Sequence, residues 1–97
     1  MFLHKGSEAE YKRRHDEIWP ELKKLLEESG ITEYSIFLDE ASGILFAFMI
    51  TREPARVDAL PQNPVIQKWW DYMKDIMETR PDNSPLAEPL SEVFHMP

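Results

Sequence analysis

Tyr11 and His15 stand four residues apart in the stretch Tyr11-Lys12-Arg13-Arg14-His15-Asp16-Glu17-Ile18-Trp19-Pro20. On a helix, that spacing puts a phenol and an imidazole on one face, one turn apart. A titratable imidazole beside a hydrogen-bonding aromatic is a minimal acid/base site for a small polar substrate. A second aromatic element, Trp69-Trp70, lies far along the chain. Successive helix residues point about 100° apart, so one indole is expected in the core and the other at a groove or an interface.

The elements that must hold these residues follow from local signals. Ser7 is an expected N-cap, with Glu8 and Glu10 in the first helical turn. Pro20 drives Trp19 out of the α region, so one helix is expected over 7–16, a break at 17–19, and a second helix over 20–29. Gly30 is the stop. His15 therefore falls in the last turn of the first helix. Carbonyl dipoles there favour a protonated imidazole, whereas burial opposes it.

Ile31 to Leu38 alternates as a strand, with Tyr34, Ile36 and Leu38 on one face. Asp39 to Gly43 reads as a hairpin loop, and Ile44 to Ile50 as a return strand apolar on both faces. A short helix is expected over 52–60. Asn63-Pro64 opens another over 64–77, whose apolar face carries Ile66, Trp69, Trp70, Met73, Ile76 and Met77. Arg80 to Pro85 is a turn-rich loop. The alternation from Leu90 to Met96 predicts a last strand. Only Met1 to His4 is available for a strand before the first helix.

A chain of 97 residues makes a single domain spanning 1–97. Its 42% hydrophobic and 11% aromatic content is that of a globular chain. The formal charge of −7 speaks against nucleic acid and anionic membrane as partners. Lys12-Arg13-Arg14 reads as a solvated helix face paired with Asp16 and Glu17. Without cysteine, disulfides, thiolate nucleophiles and zinc–thiolate sites are excluded. His4 and His95 have no metal-like spacing to His15, so no metal site is expected. No signal peptide is recognisable and no apolar run approaches the roughly 20 residues of a membrane span, which makes a cytoplasmic protein the expectation.

Read one at a time, these residues have plain explanations. His15 would be a partly exposed helix-end histidine, Tyr11 a helix-face aromatic, and Tyr34 a residue of good strand propensity. Asp82-Asn83-Ser84 between prolines would be a turn.

Their combination resembles the L-rhamnose mutarotase family. The resemblance rests on Glu10 to His15, Ile18 to Leu22, Tyr34 to Asp39, Leu45-Phe46-Ala47, Trp69 to Met73, Pro81 to Pro85 and Glu92 to His95. It runs from Glu8 to Pro97 without a large gap. The Tyr-x-x-x-His element, the double tryptophan and the Pro-Asp-Asn-Ser-Pro loop are specific together, not singly.

The resemblance implies an α+β fold: a ferredoxin-like β-α-β-β-α-β unit forming a dimeric α+β barrel, and hence a homodimer. The family's first strand begins several residues before the counterpart of Met1, so a short or truncated first strand is expected. The resemblance also implies a cofactor-independent isomerase that interconverts the α and β anomers of L-rhamnose. His15 falls on the family's proton donor. Tyr11 and Tyr34 fall on sugar-binding tyrosines, and Trp69 and Trp70 on its tryptophan pair.

In that reaction, a proton leaves the anomeric hydroxyl, another reaches the ring oxygen, and the ring opens and recloses. Asp16, Glu17 and Asp82 are candidate partner bases, and Tyr11 or Tyr34 could relay a proton. Two other readings stand beside it. One is a non-catalytic sugar-binding or interaction module on the same barrel. The other is a dimeric-barrel monooxygenase or haem-degrading enzyme, in which His15 or His95 would be a haem ligand.

Overall fold

The structure, a computed structural model, describes residues 1–97. Helix α1 spans Glu8–Asp16, with Glu8 and Glu10 in its first turn and Arg13, Arg14 and His15 in its last. Both sets suit the helix dipole. Ser7 precedes the helix, but its hydroxyl makes no capping bond, contrary to expectation. A capping side chain needs an extended backbone to swing its oxygen over the first turn, whereas Ser7 sits at φ −100° and ψ 10°.

The break at 17–19 is where Pro20 requires it. Trp19 is extended at φ −59° and ψ 132°, and helix α2 runs Pro20–Glu28 with the proline in its first turn. Gly30 then turns the chain at φ +85°. A Cβ there would lie 3.2 Å from the backbone nitrogen of Glu53, so glycine is needed for conformation and for space.

Strands β1 (Ile31–Asp39) and β2 (Ile44–Thr51) form an antiparallel hairpin. The register sets Tyr34 opposite Met49, Ile36 opposite Ala47 and Leu38 opposite Leu45 on one face. Phe37 opposite Phe46 and Ser35 opposite Phe48 occupy the other. Between the pairs Ile31–Thr51 and Glu33–Ile50, β1 carries one more residue than β2, a bulge at Thr32.

Helices α3 (Pro54–Ala59) and α4 (Pro64–Met73) follow, linked by a 3₁₀ turn at Leu60–Gln62. Asn63 caps α4 as expected, its side-chain oxygen accepting from the Val65 N–H. The expected helix over 64–77 stops at Met73. The next residues turn, so that Ile76 to Glu78 run beside the N-terminus. His4 N–H donates to the Ile76 carbonyl and Glu78 N–H to the Phe2 carbonyl, at 2.8 and 2.9 Å.

No strand precedes α1; two isolated bridges stand in its place. Phe2 bridges Ile44 and Leu3 bridges Met77, both antiparallel, so the segment lies between β2 and the chain beyond α4. The strand expected over Leu90 to Met96 does not form. Alternation gives a segment two faces, but a strand also needs a backbone edge to pair with. The outer edge of β1 is free, but the tail makes no backbone hydrogen bond to it. Leu90, Val93, Phe94 and Met96 are left exposed.

Helix α2 packs against α4 and β1. The core consists of Leu3, Tyr11, Leu22, Leu45, Ile66, Trp69, Met73, Ile76 and Met77. Ile76 and Met77 reach this core from beyond the helix rather than from its face. No large side chain is completely buried, because the core surrounds a cavity rather than filling it. The return strand β2, whose apolar pattern suits cover on both faces, is covered chiefly at its start: Leu45 is buried and Ile44 half-buried, whereas Phe46, Ala47, Phe48, Met49 and Ile50 are exposed. No helix is long and apolar enough to cross a membrane.

Candidate active site

The cavity occupies about 940 Å³ between α1, α2, α4 and the Tyr34-bearing face of the hairpin. That lies at the upper end of the size range of small-molecule sites. Tyr11, His15, Tyr34, Trp69 and Trp70 all line it. The i,i+4 spacing in α1 works as the sequence requires: the Tyr11 and His15 rings stack with centroids 4.3 Å apart. Trp69 meets His15 edge-on at 5.4 Å. Both indoles border the cavity: Trp69 from the core, at 9% exposed, and Trp70 half-buried at its rim.

His15 Nδ1 lies 3.0 Å from the Tyr11 carbonyl oxygen. A carbonyl only accepts, so Nδ1 carries the proton and Nε2 of the neutral ring keeps a free lone pair. The charge state follows from two opposed effects. Burial lowers the His15 pKa below its usual value and dominates; the Tyr11 carbonyl and the Asp16 carboxylate raise it. The ring is therefore neutral at neutral pH. The helix-end dipole does not deliver the protonated imidazole that it favours.

The phenols are pushed the other way. Burial raises the Tyr11 pKa well above the ordinary tyrosine value, and the nearby Tyr34 phenol adds to it. Tyr34 is 43% exposed because the cavity is open beside it. Even so, the protein atoms crowded around that cavity raise its phenol by desolvation. Both hydroxyls hold their protons at neutral pH. They can bind sugar-type hydroxyls as donors and acceptors, but are poor bases.

The candidate carboxylates are less well placed. Asp16 borders the cavity, but it is exposed and its carboxylate is paired with Lys12 at 2.8 Å; Glu17, just past α1 and outside the cavity, is paired with Arg13. Asp82 lies outside the main cavity. Its oxygen accepts from the Ser84 hydroxyl and, at 3.0 Å, from the Ser84 N–H, and these bonds hold its carboxyl below the usual range. No three His, Asp or Glu side chains converge as metal ligands. His95 is exposed in the tail, away from the cavity that His15 lines.

Arg14 departs from the expected solvated run. It is 8% exposed. Its guanidinium donates to the Tyr72 carbonyl at 2.8 Å and grips Asp75 with both nitrogens at 2.8 and 3.1 Å. It also lies 4.4 Å over the Tyr72 ring. Tyr72 touches Trp19 and Trp69, so Arg14 props the aromatic wall beside His15. Its burial had a readable signal: Tyr11, Arg14, His15 and Ile18 follow the i, i+3, i+4, i+7 stripe of a core-facing helix.

Known proteins resemble this chain over almost its whole length. The sequence model of the L-rhamnose mutarotase family matches residues 1–96. The L-rhamnose mutarotase of Leptothrix cholodnii is 58% identical over 97 residues, covering 99% of this chain and 91% of that protein. That of Bacteroides thetaiotaomicron is 54% identical over 96 residues, covering 99% and 92%. The crystal structure of the L-rhamnose mutarotase of Formosa agariphila superposes with a TM-score of 0.92 at 50% identity, covering 100% of this chain and 93% of that one. With family match, sequence identity and backbone in agreement over almost the whole length, this chain belongs to the L-rhamnose mutarotase family.

Proposed function

We propose that this protein is an isomerase that interconverts the α and β anomers of L-rhamnose, with His15 as its proton-transfer group. The observation that carries the reading is the neutral His15 ring, fixed through Nδ1 on the Tyr11 carbonyl with Nε2 free, in a cavity walled by two phenols and two indoles.

One imidazole suffices for the chemistry. Nε2 takes the proton of the anomeric hydroxyl. The electron pair left on that oxygen forms the aldehyde carbonyl, while the bond from C1 to the ring oxygen breaks and its electrons pass to that oxygen. The imidazolium then returns its proton to the ring oxygen. Both oxygens are bonded to C1, so one nitrogen can serve both. Rotation about the bond from C1 to C2 and the reverse steps give the other anomer. The donor role implied by family resemblance is the second half of this shuttle, and no carboxylate partner is needed. A positioned proton transfer of this kind contributes on the order of 10²–10⁴-fold.

Tyr11 and Tyr34 hold sugar hydroxyls, and the indole faces of Trp69 and Trp70 receive the C–H face and methyl group of the sugar. The short pairings of Phe2 with Ile44 and of Leu3 with Met77 support a ferredoxin-like β-α-β-β-α-β unit with reduced first and last strands. The exposed face carrying Phe37, Phe46 and Phe48 supports a homodimer of the α+β barrel type, because a monomer rarely leaves such a patch in water.

Saturation-transfer NMR on L-rhamnose tests the function. Wild-type protein accelerates α/β exchange, and His15→Ala loses most of the gain. Unchanged exchange with wild-type protein refutes the proposal. Binding without acceleration would instead favour the non-catalytic module.

A further inference from the structure

Asn83 is the one residue other than glycine with a left-handed backbone, at φ +69°. Asparagine tolerates this region better than most residues, but only a determined surrounding keeps it there. That surrounding is built by its neighbours. Asn83 N–H donates to the Arg80 carbonyl at 2.9 Å, and Arg80 N–H donates to the Ser84 carbonyl at 2.8 Å. Ser84 is buried and donates twice to the Asp82 carboxylate. The polar side chains flanking Asn83 are thus consumed within the loop.

The carboxamide of Asn83 is not. Its oxygen accepts no hydrogen bond, and its nitrogen has a single long contact of 3.4 Å to Asp71, whose same oxygen is already held by Lys74 at 2.7 Å. Asn83 lines the main cavity, and so does Trp70. The same two residues also line a second, smaller recess with Gln62, Gln67 and Asp82. They form the partition between the two. A carboxamide carries a donor and an acceptor side by side, which matches adjacent hydroxyls on a sugar ring.

We propose that Asn83 is a substrate-binding residue whose carboxamide hydrogen-bonds a ring hydroxyl of the sugar seated against Trp70. This rests on the sugar-binding reading of the cavity and adds a polar contact beside Trp70. The loop's strained turn serves to aim that group.

Asn83→Gly tests it, because glycine keeps the left-handed turn and removes only the carboxamide. The variant should melt no lower than wild type, and its KM for L-rhamnose should rise about 3- to 10-fold, the usual loss of one neutral hydrogen bond. With monodeoxy rhamnoses, one analogue should bind wild type and Asn83→Gly equally, which identifies the hydroxyl held. Asn83→Asp keeps an acceptor and should fall between the two. An unchanged KM, or an equal penalty on every deoxy analogue, overturns the proposal. Titrating L-rhamnose against tryptophan fluorescence gives the same comparison without catalysis. Loss of exchange activity in wild type would therefore sink the mutarotase reading while leaving the role of Asn83 measurable.

Discussion

Replacing Arg14 by Met should destabilise the fold and disturb the wall beside His15. Methionine keeps much of the aliphatic stem and loses the guanidinium. The lost bond to the Tyr72 carbonyl is charge-assisted and partly buried, which is worth about 1.5–3 kcal/mol. The contact over the Tyr72 ring adds about 0.5–2 kcal/mol, the upper end applying when the cation is desolvated. The partners Asp75 and Glu10 face water and lose little when left alone. The expected total is about 2–5 kcal/mol. For a domain of this length that is a fall in Tm of roughly 8–40 °C, at about 4–8 °C per kcal/mol. Thermal melting by circular dichroism measures the fall. The near-ultraviolet signal of Trp19, Trp69 and Tyr72 should weaken in the same variant below its melting temperature. Arg14→Lys should recover only part of both, because an ammonium cannot span Asp75 with two nitrogens or stack as a plane. A Tm within about 3 °C of wild type, the range of an ordinary surface change, would refute the assigned role.

Acidity offers an independent check on His15. Burial holds its pKa below the unperturbed 6.5, so the exchange rate should be flat above that pH and fall through a midpoint below it. Stability moves the same way: below pH 6.5 the unfolded chain binds the proton first, so the His15 contribution is complete above 6.5 and is lost as the pH falls. A midpoint above 6.5 in the rate profile would contradict the neutral-imidazole shuttle. For the exposed hairpin face, Phe37→Lys should halve the mass found by light scattering, since a charge at the centre of an apolar interface is not tolerated. A wild-type protein that already runs as a monomer would refute the dimer.

Much of the site was legible in the sequence because it depends on short-range geometry. Pro20 fixes the break between α1 and α2 whatever the rest of the chain does, since its ring restricts Trp19. The i,i+4 spacing then fixes the Tyr11–His15 stack, and the adjacency of Trp69 and Trp70 makes one more deeply buried than the other. The turn at Asp39 to Gly43 sets the hairpin and hence the face that carries Tyr34.

What the sequence left open depends on neighbours distant along the chain. Whether the alternating tail pairs depends on whether the fold brings it to an edge, and the free edge of β1 is not reached by it. Whether Arg14 is a surface charge or a buried prop depends on Tyr72 and Asp75, about sixty positions away. The charge of His15 is a contest between a helix-end dipole, which local sequence supplies, and desolvation, which exists only once the surrounding elements close over it. The sequence by itself thus determined which groups meet within a turn of helix or a hairpin. Tertiary structure alone decided their burial, and with it their protonation and their unclaimed hydrogen bonds, because solvent exclusion is a property of the assembled surfaces.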